Sequence, residues 1–130
     1  MTKITSHIDP DSGRLGAISV SNVPFNVKRV YWVTDFVSGN MRGHHAHKTL
    51  RQLMICVRGS IDVTLDIGGV RSDYSLNPDS NPIYIPPGVW REFSSLEKEA
   101  VLLVLASEDY DESDYIREYN AYLHWFREKR

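Results

Sequence analysis

The segment RGHHAHK at residues 42–48 places His44, His45 and His47 beside an arginine and a lysine. Imidazole can bind a metal or move a proton near neutral pH, because its unperturbed pKa is about 6.5. Guanidinium and ammonium groups bind anions such as phosphate. The segment therefore predicts a metal site, an acid–base site or an anion site.

The spacing of two of these histidines favours a shared site. His45 and His47 are separated by one residue, so on a β-strand both side chains project from the same face. Ala46, between them, projects from the other face. We expect the two imidazoles to point together into the interior of a β-structure.

The surrounding sequence has the composition of short strands. Runs rich in Val, Ile, Leu and Tyr occur at residues 27–36, 51–57, 60–67, 72–76, 82–85 and 100–106. Glycine, proline and asparagine separate these runs and favour turns. Strands this short and this evenly spaced predict an all-β antiparallel sandwich or barrel rather than alternating strands and helices.

The end of the chain changes to a helical pattern. Apolar and aromatic residues there have the spacing of one helix face: Tyr115, Ile116, Tyr119, Leu123 and Phe126. Asp111 is the predicted N-cap. We expect one domain over residues 1–130, with a barrel at about 15–107 and a C-terminal α-helix at about 111–128.

Composition limits the possible partners. The net charge is only −2, so no overall positive field attracts nucleic acid, and an anion must be held by a local group of basic residues. No apolar run approaches the ~20 residues that cross a bilayer, and the start lacks the apolar core of a signal peptide. The single cysteine, Cys56, excludes an internal disulfide and fits a reducing compartment. We therefore expect a cytoplasmic protein with no nucleic-acid or membrane partner.

One set of spacings resembles a known superfamily. Gly39, His45, His47, Gln52 and Gly59 match the first motif of the cupins, which are small jelly-roll β-barrels, except that metal-binding members carry glutamate at the position of Gln52. The resemblance implies a cupin-type barrel. A neutral amide is a poor replacement for a carboxylate around a divalent cation.

The second cupin motif is similar to PPGVWREF, which contains Pro86, Gly88 and Trp90. Arg91 stands where metal-binding members carry histidine, and a guanidinium has no lone pair to donate to a metal. We therefore expect no metal, which leaves proton transfer and anion binding as the two interpretations of the histidines.

Three longer blocks resemble a narrower family. VPFNVKRVYWVTD, RGHHAHKTLRQLMICVRGSIDVTLD and VLASEDYDESDYIREY are similar to the WxcM-like sugar-nucleotide 3,4-ketoisomerases, which act on dTDP-4-dehydro-6-deoxy-glucose. The similarity runs from about Val23 to Tyr122. The first twenty residues match less well, since Ser12, Gly13 and Arg14 stand where the family usually has an Arg-Gly pair.

The resemblance implies a cofactor-free tautomerisation in which the ketone moves from C4 to C3 through an enediol. It makes His45 the base, Tyr31 the hydroxyl that passes a proton between the two oxygens, and His47 a group that orients His45 or polarises an oxygen. These residue types suit the reaction, because histidine titrates near neutral pH.

The resemblance also implies a dTDP-linked keto-deoxy-sugar as the substrate and a homodimer with exchanged N-terminal strands. The diphosphate requires cations, and the sugar requires polar and aromatic contacts. The substrate-binding candidates are Arg42, Lys48, Gln52, Arg91, Arg29 and Trp90. Among the cations Arg42, next to the histidines, is the first candidate.

Three other functions remain open from the sequence. A catalytically silent cupin could bind a sugar nucleotide as a sensor or scaffold, although the pair of His45 and Tyr31 argues for catalysis. A metal-dependent oxygenase is disfavoured by Gln52 and Arg91. An epimerase acting at C3 and C5 needs the same kind of acidified C–H bonds, so residue types alone do not exclude it.

Overall fold

A computed structural model describes residues 3–129. Its strands are β1 (Thr5–Asp9), β2 (Gly13–Ala17), β3 (Arg29–Val33), β4 (Arg42–His47), β5 (Gln52–Arg58), β6 (Ile61–Ile67), β7 (Val70–Leu76), β8 (Ile83–Ile85), β9 (Trp90–Ser94), β10 (Val101–Ala106) and β11 (Tyr115–Ile116). The α-helix α1 spans Tyr119–Glu128, and 3-10 turns occupy Val20–Asn22 and Glu112–Asp114.

The strands form two main antiparallel sheets and a separate hairpin. One sheet has the order β3-β10-β5-β8, the other has the order β11-β4-β9-β6-β7, and β1 pairs with β2. No strand pairing within residues 3–129 joins the two main sheets into a closed barrel. The predicted all-β jelly-roll architecture with a C-terminal helix is confirmed.

The core lies between the two sheets. On β6 Ile61 and Val63 are buried while Asp62 is exposed, which is the alternation of a strand with one buried face. The inward side chains of both sheets form one apolar cluster that includes Phe36, Met54, Leu102, Val104 and Phe93. This cluster fills one end of the space between the sheets and leaves the other end to polar side chains.

Helix α1 covers the outer face of the five-stranded sheet. Tyr122 is fully buried there and packs with Ala46, Trp90 and Ile116. Its hydroxyl donates to the carbonyl oxygen of Gly88 at 2.7 Å and lies 3.0 Å from that of Asp66. The hydroxyl oxygen of Tyr122 also accepts a hydrogen bond from the Gly68 N–H at 2.9 Å. One side chain thus ties the helix to two loops of the sheet.

The predicted start of the helix is wrong. The α-helix begins at Tyr119, and Asp111 caps the 3-10 turn instead, accepting from Ser113 N at 3.0 Å. Tyr115 and Ile116 form β11, which pairs with His47 and Ala46. Backbone hydrogen bonds to β4 are available to these two residues, and a strand places one of them on each face of the sheet.

Helices within residues 3–129 are too short and too polar to cross a bilayer.

Tyr122→Phe should lower the free energy of unfolding by about 1–3 kcal/mol, because it leaves the buried Gly68 N–H and Gly88 C=O without their partner. Urea unfolding followed by circular dichroism measures the change. Tyr74→Phe, at an exposed position on β7, is the matched control and should change stability by less than about 0.5 kcal/mol. Equal effects of the two substitutions would contradict the anchoring role of Tyr122.

Candidate active site

A bulge in β4 directs the two histidines inward. The pairing of β4 with β9 shifts register between Gly43 and His45, and His44 adopts a positive φ of 52°. Gly43 has φ +90°, and a Cβ there would lie 2.9 Å from the Arg91 carbonyl oxygen, so this position requires glycine. The bulge leaves His44 exposed, while His45 and His47 face the interior as their spacing predicted.

Three aromatic rings form a compact group at this end of the interior. The ring centroids of His45 and His47 are 4.8 Å apart. Tyr115, brought beside them by β11, lies 4.8 Å from the ring of His45 and 4.2 Å from that of His47. Sequence analysis did not assign a catalytic or binding role to Tyr115, because the helical pattern placed it on the apolar face of the C-terminal helix.

The contacts of His45 define its tautomer. Nδ1 lies 2.9 Å from the Gly43 carbonyl oxygen, which can only accept, so Nδ1 carries the hydrogen. Nε2 is then unprotonated, and it is buried without a hydrogen-bond partner. Burial and, secondly, the charge of Arg91 lower the pKa of His45 to about 4. At neutral pH His45 therefore presents a free lone pair.

His47 is also neutral. Burial lowers its pKa to about 2, and the Arg91 cation acts in the same direction. Nδ1 is 3.4 Å from the Asp114 carboxylate, and neither ring nitrogen makes a hydrogen bond. At neutral pH this contact is therefore not an ion pair. Asp114 is held in place by hydrogen bonds from Thr49 and Leu50.

Beneath the histidines, three side chains form a hydrogen-bonded chain. The Arg91 guanidinium donates to the side-chain oxygen of Gln52, and Gln52 Nε2 donates to the Tyr31 hydroxyl oxygen at 2.8 Å. Arg91 and Gln52 are each 1% exposed. Burial lowers the pKa of Arg91 to about 10, so the guanidinium remains charged at pH 7.

These donors do not fit the metal site of other cupins. The Gln52 oxygen already accepts from Arg91, and a guanidinium beside the two histidines repels a cation. Across residues 3–129 no three His, Cys, Asp or Glu side chains are grouped so as to hold a metal ion. The arrangement is suited to acid–base chemistry on an anion.

A cavity of about 270 Å³ opens over this group. Tyr31, His45 and Tyr115 line it together with the guanidinium groups of Arg29, Arg42 and Arg117. A second cavity of about 470 Å³ shares Arg29 and Tyr115 and reaches His47. The proton-transfer candidates and several cations thus face the same space.

Arg29 lies between the two cavities. Its guanidinium carbon is 5.1 Å from the ring centroid of Tyr31 and 5.9 Å from that of Tyr110. Its Nε atom is buried without a hydrogen-bond partner. Arg29 and Arg42 both line the cavity that Tyr31 and His45 also line.

Four other predicted substrate contacts are placed differently. Trp90 packs beneath α1, where its ring centroid is 5.2 Å from that of Tyr119 and 5.6 Å from that of Tyr122. The prediction that Trp90 contacts the substrate is therefore corrected. Strand alternation explains this, because Trp90 and Arg91 point to opposite faces. Lys48 is exposed and lines neither cavity. Gln52 and Arg91 lie beneath the cavity lining.

The segment after β10 supplies a residue that sequence analysis missed. The guanidinium of Arg117 is 4.1 Å from the centroid of the Tyr115 ring. Glu112 accepts from it at 2.8 and 2.9 Å, and this interaction lowers the pKa of Glu112 to about 2. The block YDESDYIR, similar to the ketoisomerases, contained the available signal, since an arginine two residues after a tyrosine shares its face on an extended chain.

Comparison with known proteins places this geometry in a family. The family model described as "FdtA: WxcM-like, C-terminal" matches residues 1–127. TDP-4-oxo-6-deoxy-alpha-D-glucose-3,4-oxoisomerase from Aneurinibacillus thermoaerophilus is 41% identical over 111 residues, which are 85% of this chain and 80% of that protein.

Solved structures agree with this assignment. QdtA, a sugar 3,4-ketoisomerase from Thermoanaerobacterium thermosaccharolyticum solved with TDP, is 40% identical, with a TM-score of 0.89 over 98% of this chain and 93% of QdtA. WlaRB, a TDP-quinovose 3,4-ketoisomerase from Campylobacter jejuni, is 38% identical, with a TM-score of 0.82 over 94% of each chain. The chain therefore belongs to the FdtA family of WxcM-like proteins.

Proposed function

We propose that this protein is a TDP-sugar 3,4-ketoisomerase, which moves the ketone of TDP-4-keto-6-deoxyglucose from C4 to C3. The observation that carries the proposal is the buried, unpartnered Nε2 of His45, a residue that lines the same cavity as Tyr31. The relatives at 38–41% identity are ketoisomerases by name, and one structure of QdtA is a complex with TDP-4-keto-6-deoxyglucose.

The proton transfers follow from the states of these two groups. The C4 ketone acidifies the C3–H bond, and His45 Nε2 accepts that proton while Tyr31 donates its own to O4. The enediol then loses the O3 proton to Tyr31 and receives at C4 the proton held by His45. Each group ends in its starting state, and no oxidant or reductant is consumed.

Fixed positive charge stabilises the enediolate that develops during these steps. Arg91 is buried and charged, and its hydrogen bonds are to uncharged groups, so its field is not cancelled by a bonded carboxylate. Around the cavity rim Arg29, Arg42 and Arg117 supply guanidinium groups for the diphosphate. A catalytically silent binder would not need a buried base at His45.

We also propose a homodimer. Large apolar side chains are exposed on the hairpin, in the 3-10 turn that follows it and on the outer face of β3: Ile8, Leu15, Val20, Val30 and Trp32, the last at 66% exposure. Every residue of β2 is exposed. A second copy of the chain would cover this surface and the edges of the hairpin.

The reaction class suggests where the product goes. A 3-keto sugar nucleotide is an acceptor for transfer of an amino group, so we propose that the enzyme serves deoxy-amino-sugar synthesis for a cell-surface polysaccharide. Cys56 is buried as a free thiol, which suits the reducing cytoplasm proposed as its location.

His45→Asn should lower the rate of 3-keto sugar formation by about 10²–10⁴-fold, because an amide cannot accept the C3 proton. The assay incubates the protein with TDP-4-keto-6-deoxyglucose in deuterated water and follows the sugar by NMR. The wild-type protein should yield a C3 ketone, with deuterium at C4 in those turnovers in which the proton held by His45 exchanges with solvent before it reaches C4.

The matched control is His44→Asn. His44 is adjacent but exposed, and asparagine tolerates its positive φ, so this variant should retain wild-type turnover. More than about a tenth of wild-type activity in His45→Asn would assign the base to another group, with His47 the first to test. Absence of any C3 ketone with the wild-type protein would refute the proposed reaction.

The acid side of the pH–rate profile should reflect the lowered pKa of His45. The base works unprotonated, and its pKa is about 4 instead of 6.5, so kcat/KM should stay high below pH 6.5 and fall only as pH approaches 4. Initial rates between pH 4 and 8, with folding checked by circular dichroism, measure this. A half-maximal value near pH 6.5 would contradict the buried state of His45.

The dimer proposal predicts a mass of twice 14.9 kDa, about 30 kDa, by light scattering at micromolar concentration. Trp32→Glu should shift the distribution toward monomer, because it places a charge in the covered apolar surface. Val37→Glu, at an equally exposed apolar position outside β3 and the hairpin, is the control and should leave the mass unchanged. A wild-type monomer would refute the proposal.

A further inference from the structure

Gln52 and Arg91 are polar, almost completely buried, and absent from the lining of the catalytic cavity. Burial of such side chains is costly unless they make hydrogen bonds, and although Arg91 Nε has no partner, Arg91 donates to Gln52 and to the Val89 carbonyl oxygen. Their hydrogen bonds lead to the hydroxyl of Tyr31, a residue that does line the cavity.

Arg91 fixes the orientation of the Gln52 side-chain amide. A guanidinium has donors and no acceptor, so the Gln52 atom that meets Arg91 must be the amide oxygen. The amide nitrogen therefore faces Tyr31 and donates to its oxygen at 2.8 Å. The hydroxyl hydrogen of Tyr31 is not used in this contact and is free to point into the cavity.

We propose that Gln52 and Arg91 are positioning residues that act through Tyr31, fixing its hydroxyl as a donor toward the reacting sugar and stabilising the negative charge left when its proton departs. This inference rests on the proposed function and deepens it. Neither residue touches the substrate in this role, in contrast to the substrate contacts that the sequence predicted for them.

The hydrogen-bonded series Arg91–Gln52–Tyr31, called the relay below, acts at one point of the proton transfers. As His45 takes the C3 proton and Tyr31 gives its proton to O4, the phenolate oxygen of Tyr31 gains the charge. At that moment it already accepts a hydrogen bond from Gln52, whose oxygen is polarised by the Arg91 cation. When the O3 proton returns to Tyr31, the relay is restored unchanged.

The charges around Tyr31 agree with this role. Burial raises the pKa of Tyr31, whereas Arg91, Gln52 and, more weakly, Arg29 lower it; Tyr115 acts in the raising direction. The relay thus offsets part of the penalty that the buried position places on the tyrosinate.

Glutamate at position 52 would reverse the donor and acceptor of the hydrogen bond to Tyr31 with little change in side-chain shape. Its carboxylate can still accept from Arg91, so the fold is retained, but it must also accept from Tyr31 and would draw the hydroxyl hydrogen away from the sugar. Gln52→Glu should therefore lower kcat by about 10²-fold and leave KM within a factor of about three. The basic limb of the kcat/KM profile should move up by about one pH unit, since a neighbouring carboxylate raises the pKa of Tyr31.

Met54→Leu is the matched control. Met54 is the next inward residue of β5, equally buried, and belongs to the apolar core, so a volume-conserving exchange there should leave kcat, KM and the pH profile unchanged. Gln52→Met removes the hydrogen-bond donor without adding charge. It should also lower kcat and shift the basic limb of the kcat/KM profile to higher pH. Wild-type kcat and basic limb in either folded Gln52 variant would overturn the proposal.

Neutron diffraction from the deuterated wild-type protein tests the polarity without any substitution. Deuterium on the Gln52 nitrogen facing Tyr31 is expected, and an amide oxygen facing Tyr31 would overturn the inference even if both variants failed to fold. The outcomes are separable from the proposed function. Absence of 3-keto sugar with the wild-type protein refutes the reaction, whereas normal wild-type turnover with an unaffected Gln52→Glu variant refutes only the relay.

Discussion

The guanidinium of Arg91 is buried between the two sheets, and its hydrogen bonds go to the uncharged oxygens of Gln52 and Val89. Its charge therefore acts on the surrounding groups with little screening. Burial lowers the pKa of both His45 and His47, and the Arg91 charge adds to that effect, so both imidazoles are neutral at pH 7. The same charge disfavours a metal cation and favours an anionic ligand, which explains how a cupin-type barrel can support metal-free proton transfer.

The backbone bulge in β4, the strand that pairs with Arg91, determines the orientation and the tautomer of His45. The bulge at Gly43 and His44 brings the Gly43 carbonyl oxygen to Nδ1 of His45, which fixes the tautomer and leaves Nε2 unprotonated. The bulge also places the neighbouring residues His44 and His45 in different environments. His44 is exposed near Glu92, whereas His45 is turned into the cavity. One local change of register thus produces both the orientation and the protonation state of the proposed catalytic group.

The C-terminal segment completes the site from a distant part of the sequence. β11 adds Tyr115 beside the two histidines, and Arg117 follows at the cavity rim. Helix α1 then holds this segment against the sheet through Tyr122. Sequence patterns predicted the helix but began it too early, because Tyr115 and Ile116 fit a helical period as well as a strand. Pairing with β4 decided between the two.

The sequence by itself determined the residue types, the antiparallel β-architecture and the shared face of His45 and His47, because strand alternation follows from backbone geometry alone. It also indicated that Gln52 and Arg91 make a poor metal site, since ligand chemistry belongs to the side chain. Only the tertiary structure decided how deeply these groups are buried, which tautomer His45 adopts, and that Gln52 hydrogen-bonds to both Arg91 and Tyr31. These properties depend on the exclusion of water and on cross-strand neighbours, which are set by the packing of segments far apart in the chain.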